Sequence, residues 1–260
     1  MNFAKNITLE QRYFIKFAFN GSGYHGWQVQ DNAVTVQQAF EKALSLILGD
    51  ETEVMGAGRT DTGVHARQFY AHFDFKKLDR IERENLINKL NRFFAWDIVV
   101  YDILPVVADA HARFSALSRT YQYQVLRAKD PFLNSFAWYN YGNLDVALMN
   151  EGAQVLFDYE DFTSFSKLHT QVKTNNCKIM NAWWEEQGPL LVFTITADRF
   201  LRNMVRAIVG TLIDLGKHKI TLADFRKIIE NRDRSEAGVS VPAKGLFLTG
   251  IKYPDGIFLD

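Results

Sequence analysis

The segment from Gly56 to Ala66 holds a carboxylate, a guanidinium and three glycines within eleven residues. The glycines predict a tight loop, because glycine adopts positive φ and lets other backbone approach closely. Arg59 lies two residues before Asp61, and a nearby guanidinium favours the ionised form of a carboxylate. An ionised carboxylate suits a nucleophile or a base rather than a general acid. The other interpretation is an Arg59–Asp61 bridge that only pins the turn.

A second candidate group lies on an apolar segment from Phe200 to Leu215, which predicts a buried helix. Arg202 and Arg206 are four residues apart, so both project from one side of that helix. Arg206 follows Val205 in a broad apolar face, where a charge without a partner is costly. We therefore expect an acidic partner for Arg206, and Asp61 is the candidate.

The sequence around the glycine loop predicts the elements that hold it. Apolar and alternating runs predict strands, and apolar stripes that begin at Thr or Asp predict capped helices. Both halves of the chain follow this α/β pattern, so we expect an N-terminal half over residues 1–107 with the Asp61 loop and a C-terminal half over 108–260. The predicted strands are 12–19, 52–55, 68–73, 98–103, 118–125 and 190–196, and the predicted helices are 35–49, 79–94, 145–157, 200–215 and 221–230, with a basic loop over 167–182.

Composition limits the class of protein. At 260 residues and 47% hydrophobic content the chain can bury a sizeable core. Thirty basic and thirty acidic residues give zero formal net charge, which argues against a nonspecific nucleic-acid binder unless the basic residues cluster. The single cysteine, Cys177, excludes an intramolecular disulfide and a multi-cysteine zinc site. Residues 1–6 contain no apolar run, so we expect a cytoplasmic protein without a membrane segment.

Two sets of aromatic residues allow more than one interpretation. Tyr24, His25 and Trp27 lie on a glycine-rich loop, where they suit stacking on unpaired bases or packing into the core. Tyr121 and Tyr123 share one face of a predicted strand. On the pattern alone, both of these tyrosines suit a core position with satisfied hydroxyls.

Residues 58–66, Gly-Arg-Thr-Asp-Thr-Gly-Val-His-Ala, resemble the signature of the TruA family of transfer-RNA pseudouridine synthases. Further segments match that family in the same order, from about residue 12 to residue 253. The resemblance departs from the family pattern at Asn20, Lys178 and Val241, where Asp, Arg and Ala are more usual. The matching segments are 20–28, 111–116, 119–123, 161–165, 200–206 and 242–248.

The resemblance implies a role for each matching residue. The reaction breaks the bond from C1′ to N1 of uridine and joins C1′ to C5, so it requires neither a cofactor nor a metal. Asp61 would attack C1′ or remove the C2′ proton, and both routes stay open. Tyr121 would stack on the base and manage the C5 proton, and Arg206 would pair with Asp61. The expected substrate-binding residues are Tyr121, Arg59, Leu246 and Arg113.

The resemblance also implies a fold and partners. The expected fold has two similar halves around a continuous, mostly antiparallel sheet, with helices on one side and an RNA cleft on the other. Family members act as homodimers on uridines 38, 39 and 40 in the anticodon arm of transfer RNA. The contributions of Arg202, Lys173 and Lys178 to RNA binding stay open.

Two other classes of protein fit parts of the sequence. A catalytically silent RNA-binding protein on this scaffold would lack Asp61, Tyr121 or Arg206, and all three are present. A hydrolase with a single aspartate nucleophile would need a second carboxylate as acid, and no paired-carboxylate motif stands near Asp61.

Overall fold

The computed structural model describes residues 10–167 and 174–259. Within these residues nine strands form one sheet, with five α-helices packed against it. The strands are β1 Glu10–Phe19, β2 Met55–Gly56, β3 His65–Lys76, β4 Ile98–Pro105, β5 Ser118–Leu126, β6 Trp138–Tyr139, β7 Ile179–Gln187, β8 Leu190–Ala197 and β9 Leu246–Lys252. The helices are α1 Val36–Leu48, α2 Arg80–Phe93, α3 Val146–Val155, α4 Met204–Gly216 and α5 Leu222–Asn231.

The sheet runs in the order β4-β1-β3-β9-β5-β8-β7, with β2 added to β3 and β6 added to β5. Among the described strands only the β3–β9 and β5–β6 pairings are parallel. The last strand, β9, lies between β3 and β5 and so joins the N-terminal strands to the C-terminal ones. This mixed, mostly antiparallel sheet with helices confirms the expected fold class.

Capping residues set the helix boundaries as the sequence predicts, with two differences. Asp79 caps α2 through a capping box with Glu82, and Gly49 ends α1 with φ 75°. At α1 the cap is one-sided, because Thr35 accepts from the Gln38 N–H without the reciprocal bond that a capping box has. Helix α4 begins later than predicted, since Asn203 has left-handed dihedrals (φ 68°, ψ 0°) and precedes the first helical residue.

Two clusters of buried side chains lie along the sheet. One packs α1 and α2 against β1 and β3, and the other packs α3, α4 and α5 against β5 and β8. Val64, from the loop that carries Asp61, belongs to the second cluster, so this loop packs against both halves. The division at residues 107 and 108 stays a prediction.

All five helices lie on one face of the sheet. Phe17 and Phe69, which pack with α1, are a register pair on this face. The cross-strand row of Ala66, Leu248 and Tyr121 continues the same face into β5, where Tyr123 packs with α4. Tyr121 therefore projects from the face on which the helices lie. The position of the RNA cleft relative to the sheet stays a prediction.

The predicted basic loop over 167–182 is shorter in the structure. Residues from Ile179 onward belong to β7, which pairs along β8 at the edge of the sheet. Lys173 and His169 lie outside the described residues. Across the described ranges, no helix combines the length and apolar character needed to cross a lipid bilayer.

Candidate active site

Two loops meet at the seam between the halves because β3 and β9 are parallel. His65 pairs with Phe247 and Ala66 with Leu248, so the chain enters both strands from the same end of the sheet. The loop before β3 carries Asp61, and the segment before β9 contains Val241. The topology therefore places a catalytic candidate from the N-terminal half against the C-terminal half.

The backbone of the Asp61 loop is held against the loop after β1. Gly26 has φ 87°, and a Cβ on it would lie 2.3 Å from the Thr60 carbonyl oxygen. The Trp27 N–H donates to the same oxygen at 3.4 Å, and the Gly63 N–H donates to the Tyr24 carbonyl at 3.3 Å. Glycine is required at 26 for both its conformation and its lack of a side chain.

The Asp61 carboxylate contacts Arg206 in the first turn of α4 and Arg202, which lies just before that helix. Arg206 Nη1 lies 3.3 Å from Asp61 Oδ2, and Arg202 Nε lies 3.6 Å from Oδ1. The Asp61 and Arg206 side chains are 22% and 20% exposed, whereas Arg202 is 60% exposed. The Asp61–Arg206 pair was predicted from the apolar surroundings of Arg206, and the structure confirms it. The contact of Arg202 with Asp61 was not predicted.

Arg59 forms no ion pair with Asp61 within the described chain, although the sequence suggested that it would. It is exposed. The glycine turn is held by backbone contacts and by α4 rather than by an Arg59–Asp61 bridge.

Arg206 is oriented by the segment before β9. Its Nε donates to the Val241 carbonyl at 2.7 Å, and the Val241 N–H donates back to the Arg206 carbonyl at 3.2 Å. The segment lies close to α4 at Gly210, where a Cβ would meet the Val239 carbonyl oxygen at 2.0 Å. One guanidinium nitrogen of Arg206 is thus fixed to backbone while another faces Asp61.

Tyr121 lies on β5 beside this pair. Its ring meets Phe200 edge to face, with centroids 5.2 Å apart and planes at 89°. Burial raises the pKa of Tyr121 to about 12, an effect that Arg119 opposes and Asp61 reinforces. The hydroxyl is therefore protonated at neutral pH, close enough to Asp61 to experience its charge.

The other predicted residues lie in different parts of the structure. Leu246 is buried and pairs with Tyr123 where β9 begins. Arg113 is exposed, with its guanidinium 5.4 Å from the centroid of the Phe114 ring. Lys178 contributes a backbone N–H to the Asp198 carboxylate at 2.8 Å.

The aromatic loop after β1 packs into the core more than it faces solvent. Trp27 is 3% exposed and stacks on Phe69, so the core interpretation is correct for this residue. The Tyr24 hydroxyl donates to Asp97 at 2.9 Å. His25 is the exposed aromatic ring of the three.

Comparisons with known proteins agree on one activity. A family model described as tRNA pseudouridine synthase matches residues 154–254, a range that includes Arg206 and Leu246. The tRNA pseudouridine synthase A of Parabacteroides distasonis is 53% identical over 248 residues, which cover 95% of this chain and 98% of the relative. The proteins of the same name from Bacteroides thetaiotaomicron and Clostridium acetobutylicum are 53% and 38% identical, over 95% and 96% of this chain and 93% and 100% of theirs.

Proposed function

Since the chain belongs to the tRNA pseudouridine synthase A family, whose members convert uridine to pseudouridine in tRNA, we propose that it acts on uridines 38, 39 and 40 of the anticodon arm. Asp61 is the catalytic carboxylate of this proposal, Tyr121 and Arg206 assist it, and no cofactor takes part.

The observation that carries the proposal is the Asp61 carboxylate, which faces Arg206 at 3.3 Å and Arg202 at 3.6 Å beside Tyr121. The two guanidiniums orient the carboxylate. An oriented carboxylate suits attack on carbon or removal of a proton. This arrangement joins residues that lie 145 positions apart in the chain.

The bonds and protons of the isomerisation balance within the uridine. The bond from C1′ to N1 breaks, the bond from C1′ to C5 forms, and the proton lost from C5 is matched by the proton gained at N1. Nothing is oxidised and no group is imported, so side chains supply all the chemistry that we propose. Asp61 either attacks C1′ or removes the C2′ proton, and an ionised carboxylate is needed in both routes.

The uridine must leave its stack to reach Asp61, which costs a few kcal/mol. Arg59, Arg113 and Leu246 are the substrate-binding residues of the proposal, with Tyr121 stacking on the extruded base. We also propose that two copies of the chain act as a homodimer on one RNA, as the resemblance implies, and that the halves 1–107 and 108–260 close the cleft together.

Anticodon stem-loops that each carry one C5-tritiated uridine test the proposed substrate. We expect tritium release when the uridine stands at position 38, 39 or 40. We expect none when it stands elsewhere in the loop. Release from every position, or from none, would contradict the assignment to this arm.

A further inference from the structure

Arg119, on β5 two residues before Tyr121, connects three separate segments of the chain through its guanidinium. Nη1 donates to the carbonyls of Asp198 at 2.8 Å and Ala116 at 3.1 Å. Nη2 donates to the carbonyl of Ala57 at 3.2 Å and to that of Arg113. All four terminal N–H groups are therefore engaged with backbone.

This hydrogen bonding defines what Arg119 can do. A guanidinium has five N–H donors, and only the Nε–H of Arg119 stays outside these contacts. It cannot present the two-pronged face with which arginine binds a phosphate. Lysine, with three donors on a single nitrogen, cannot satisfy the same four carbonyls. Arg119 is thus a positioning residue for the segments that it connects.

Each connected segment carries an arginine, exposed at positions 59 and 113 and half-buried at 199. Arg59 follows Ala57 by two residues, Arg199 directly follows Asp198, and Arg113 is itself a hydrogen-bond acceptor of Arg119. These three residues, Arg59, Arg113 and Arg199, are called here the Arg119-linked arginines. In residues 10–167 and 174–259 none of the three forms an ion pair.

Asp198, which precedes Arg199 in the chain, forms no ion pair with these arginines in the described residues. Its carboxylate accepts the backbone N–H groups of Arg199 at 2.7 Å and Lys178 at 2.8 Å. Partial burial lowers the pKa of Arg113, and the like charges of Arg59 and Arg199 lower it further. Arg113 therefore lies close enough to Arg59 and to Arg199 for both charges to act on it.

Arginines that lie on connected segments and have no acidic partner can form a binding site for an anion. We infer that the Arg119-linked arginines bind one phosphate of the RNA backbone beside the extruded uridine, and that Arg119 assembles this site. The inference rests on the proposed function for its RNA substrate and adds Arg199 and Arg119 to the residues that recognise it. A phosphodiester suits the site because arginine donates to phosphate oxygens in pairs.

The salt dependence of RNA binding tests this inference. The probe is an anticodon stem-loop in which cytidine replaces the target uridine, so that binding is measured without turnover. Replacing one phosphate-binding cation should reduce the slope of log Kd against log salt by about 1. We expect this result for Arg199→Gln, and equally for Arg59→Gln and Arg113→Gln. The matched control is Arg92→Gln, which should leave the slope unchanged. Arg92 is an exposed arginine of α2, and this helix packs on the edge strand β4.

The positioning role of Arg119 has its own readout. Arg119→Lys keeps a positive charge but loses the four-carbonyl contact, so its slope should also fall by about 1, the contribution of the one phosphate. Adding Arg199→Gln to Arg119→Lys should then change the slope little, because Arg199 is already misplaced. If Arg119→Lys does not fold, as judged by thermal unfolding, the three single glutamine variants still decide whether these arginines bind the phosphate.

The outcomes separate this inference from the proposed function. A wild-type protein that isomerises the stem-loop while Arg199→Gln keeps the wild-type slope overturns the phosphate site alone. A full additional effect of Arg199→Gln in the Arg119→Lys background overturns the positioning role. A wild-type protein that neither binds nor isomerises the stem-loop removes the proposed function itself.

Discussion

Two groups of arginines differ in their partners. The acid-paired arginines, Arg202 and Arg206, face the Asp61 carboxylate. The Arg119-linked arginines have no acid partner among the described residues. A cation with a carboxylate partner orients that partner, whereas a cation without one is available to an external anion. The chain has zero formal net charge. It can still attract RNA, because arginines without acid partners give a local positive charge.

The sharpest test of this comparison pairs one arginine from each group. For Arg206→Gln we expect a fall of about 10²–10³ in the single-turnover rate, the range seen when a fixed electrostatic partner is removed, with little change in Kd. For Arg199→Gln we expect the reverse, weaker binding with a smaller salt slope and an unchanged rate at saturating RNA. Rate and Kd are measured on the same stem-loop. If both variants alter only the rate, or both alter only Kd, the two groups do not have separate roles in catalysis and RNA binding.

A smaller effect concerns the loop that carries Arg113. Buried His72 accepts the Ala112 N–H on Nδ1 at 3.1 Å, which requires an unprotonated nitrogen. Burial, together with the charges of His111 and Arg12, lowers the pKa of His72 to about 4, and Asp74 opposes this shift.

Because the folded-state pKa of His72 is depressed, its contribution to stability is present above pH 6.5 and is lost as the pH falls towards 4. The loss by pH 4 is at most about 3 kcal/mol, and less where solvent reaches the ring. In His72→Asn the amide oxygen can replace Nδ1 as acceptor without titrating. Urea unfolding between pH 7 and 4.5 should therefore show a flatter acid limb for the variant. An equally steep limb would show that another group causes the loss.

The sequence predicted those parts of the fold that depend on local signals. Thr35, Asp79 and Thr221 mark helix starts through their own side chains, and Gly49 marks a helix end. The pairing of Arg206 with Asp61 was also predictable, because a charge in an apolar face needs a partner. Each of these inferences uses a residue type whose preference holds in almost any context.

Other features have no local signal. Strand β9 lies between β3 and β5, a long-range pairing that no window of sequence encodes. The contacts of Arg119 are with backbone carbonyls, which every residue possesses, so neither Arg119 nor Arg199 could be singled out. Trp27 fitted a stacking loop and a core position equally well until its contact with Phe69 decided the matter.

The catalytic role of Asp61 is the central claim, and Asp61→Asn tests it most directly. The measurement is the rate of C5 tritium release from the anticodon stem-loop at saturating RNA, beside Kd for the same RNA. We predict a loss of at least about 10⁴ in rate, equivalent to roughly 5.5 kcal/mol of barrier, with RNA binding retained. An Asp61→Asn protein that isomerises uridine at a rate near that of the wild type would contradict the account.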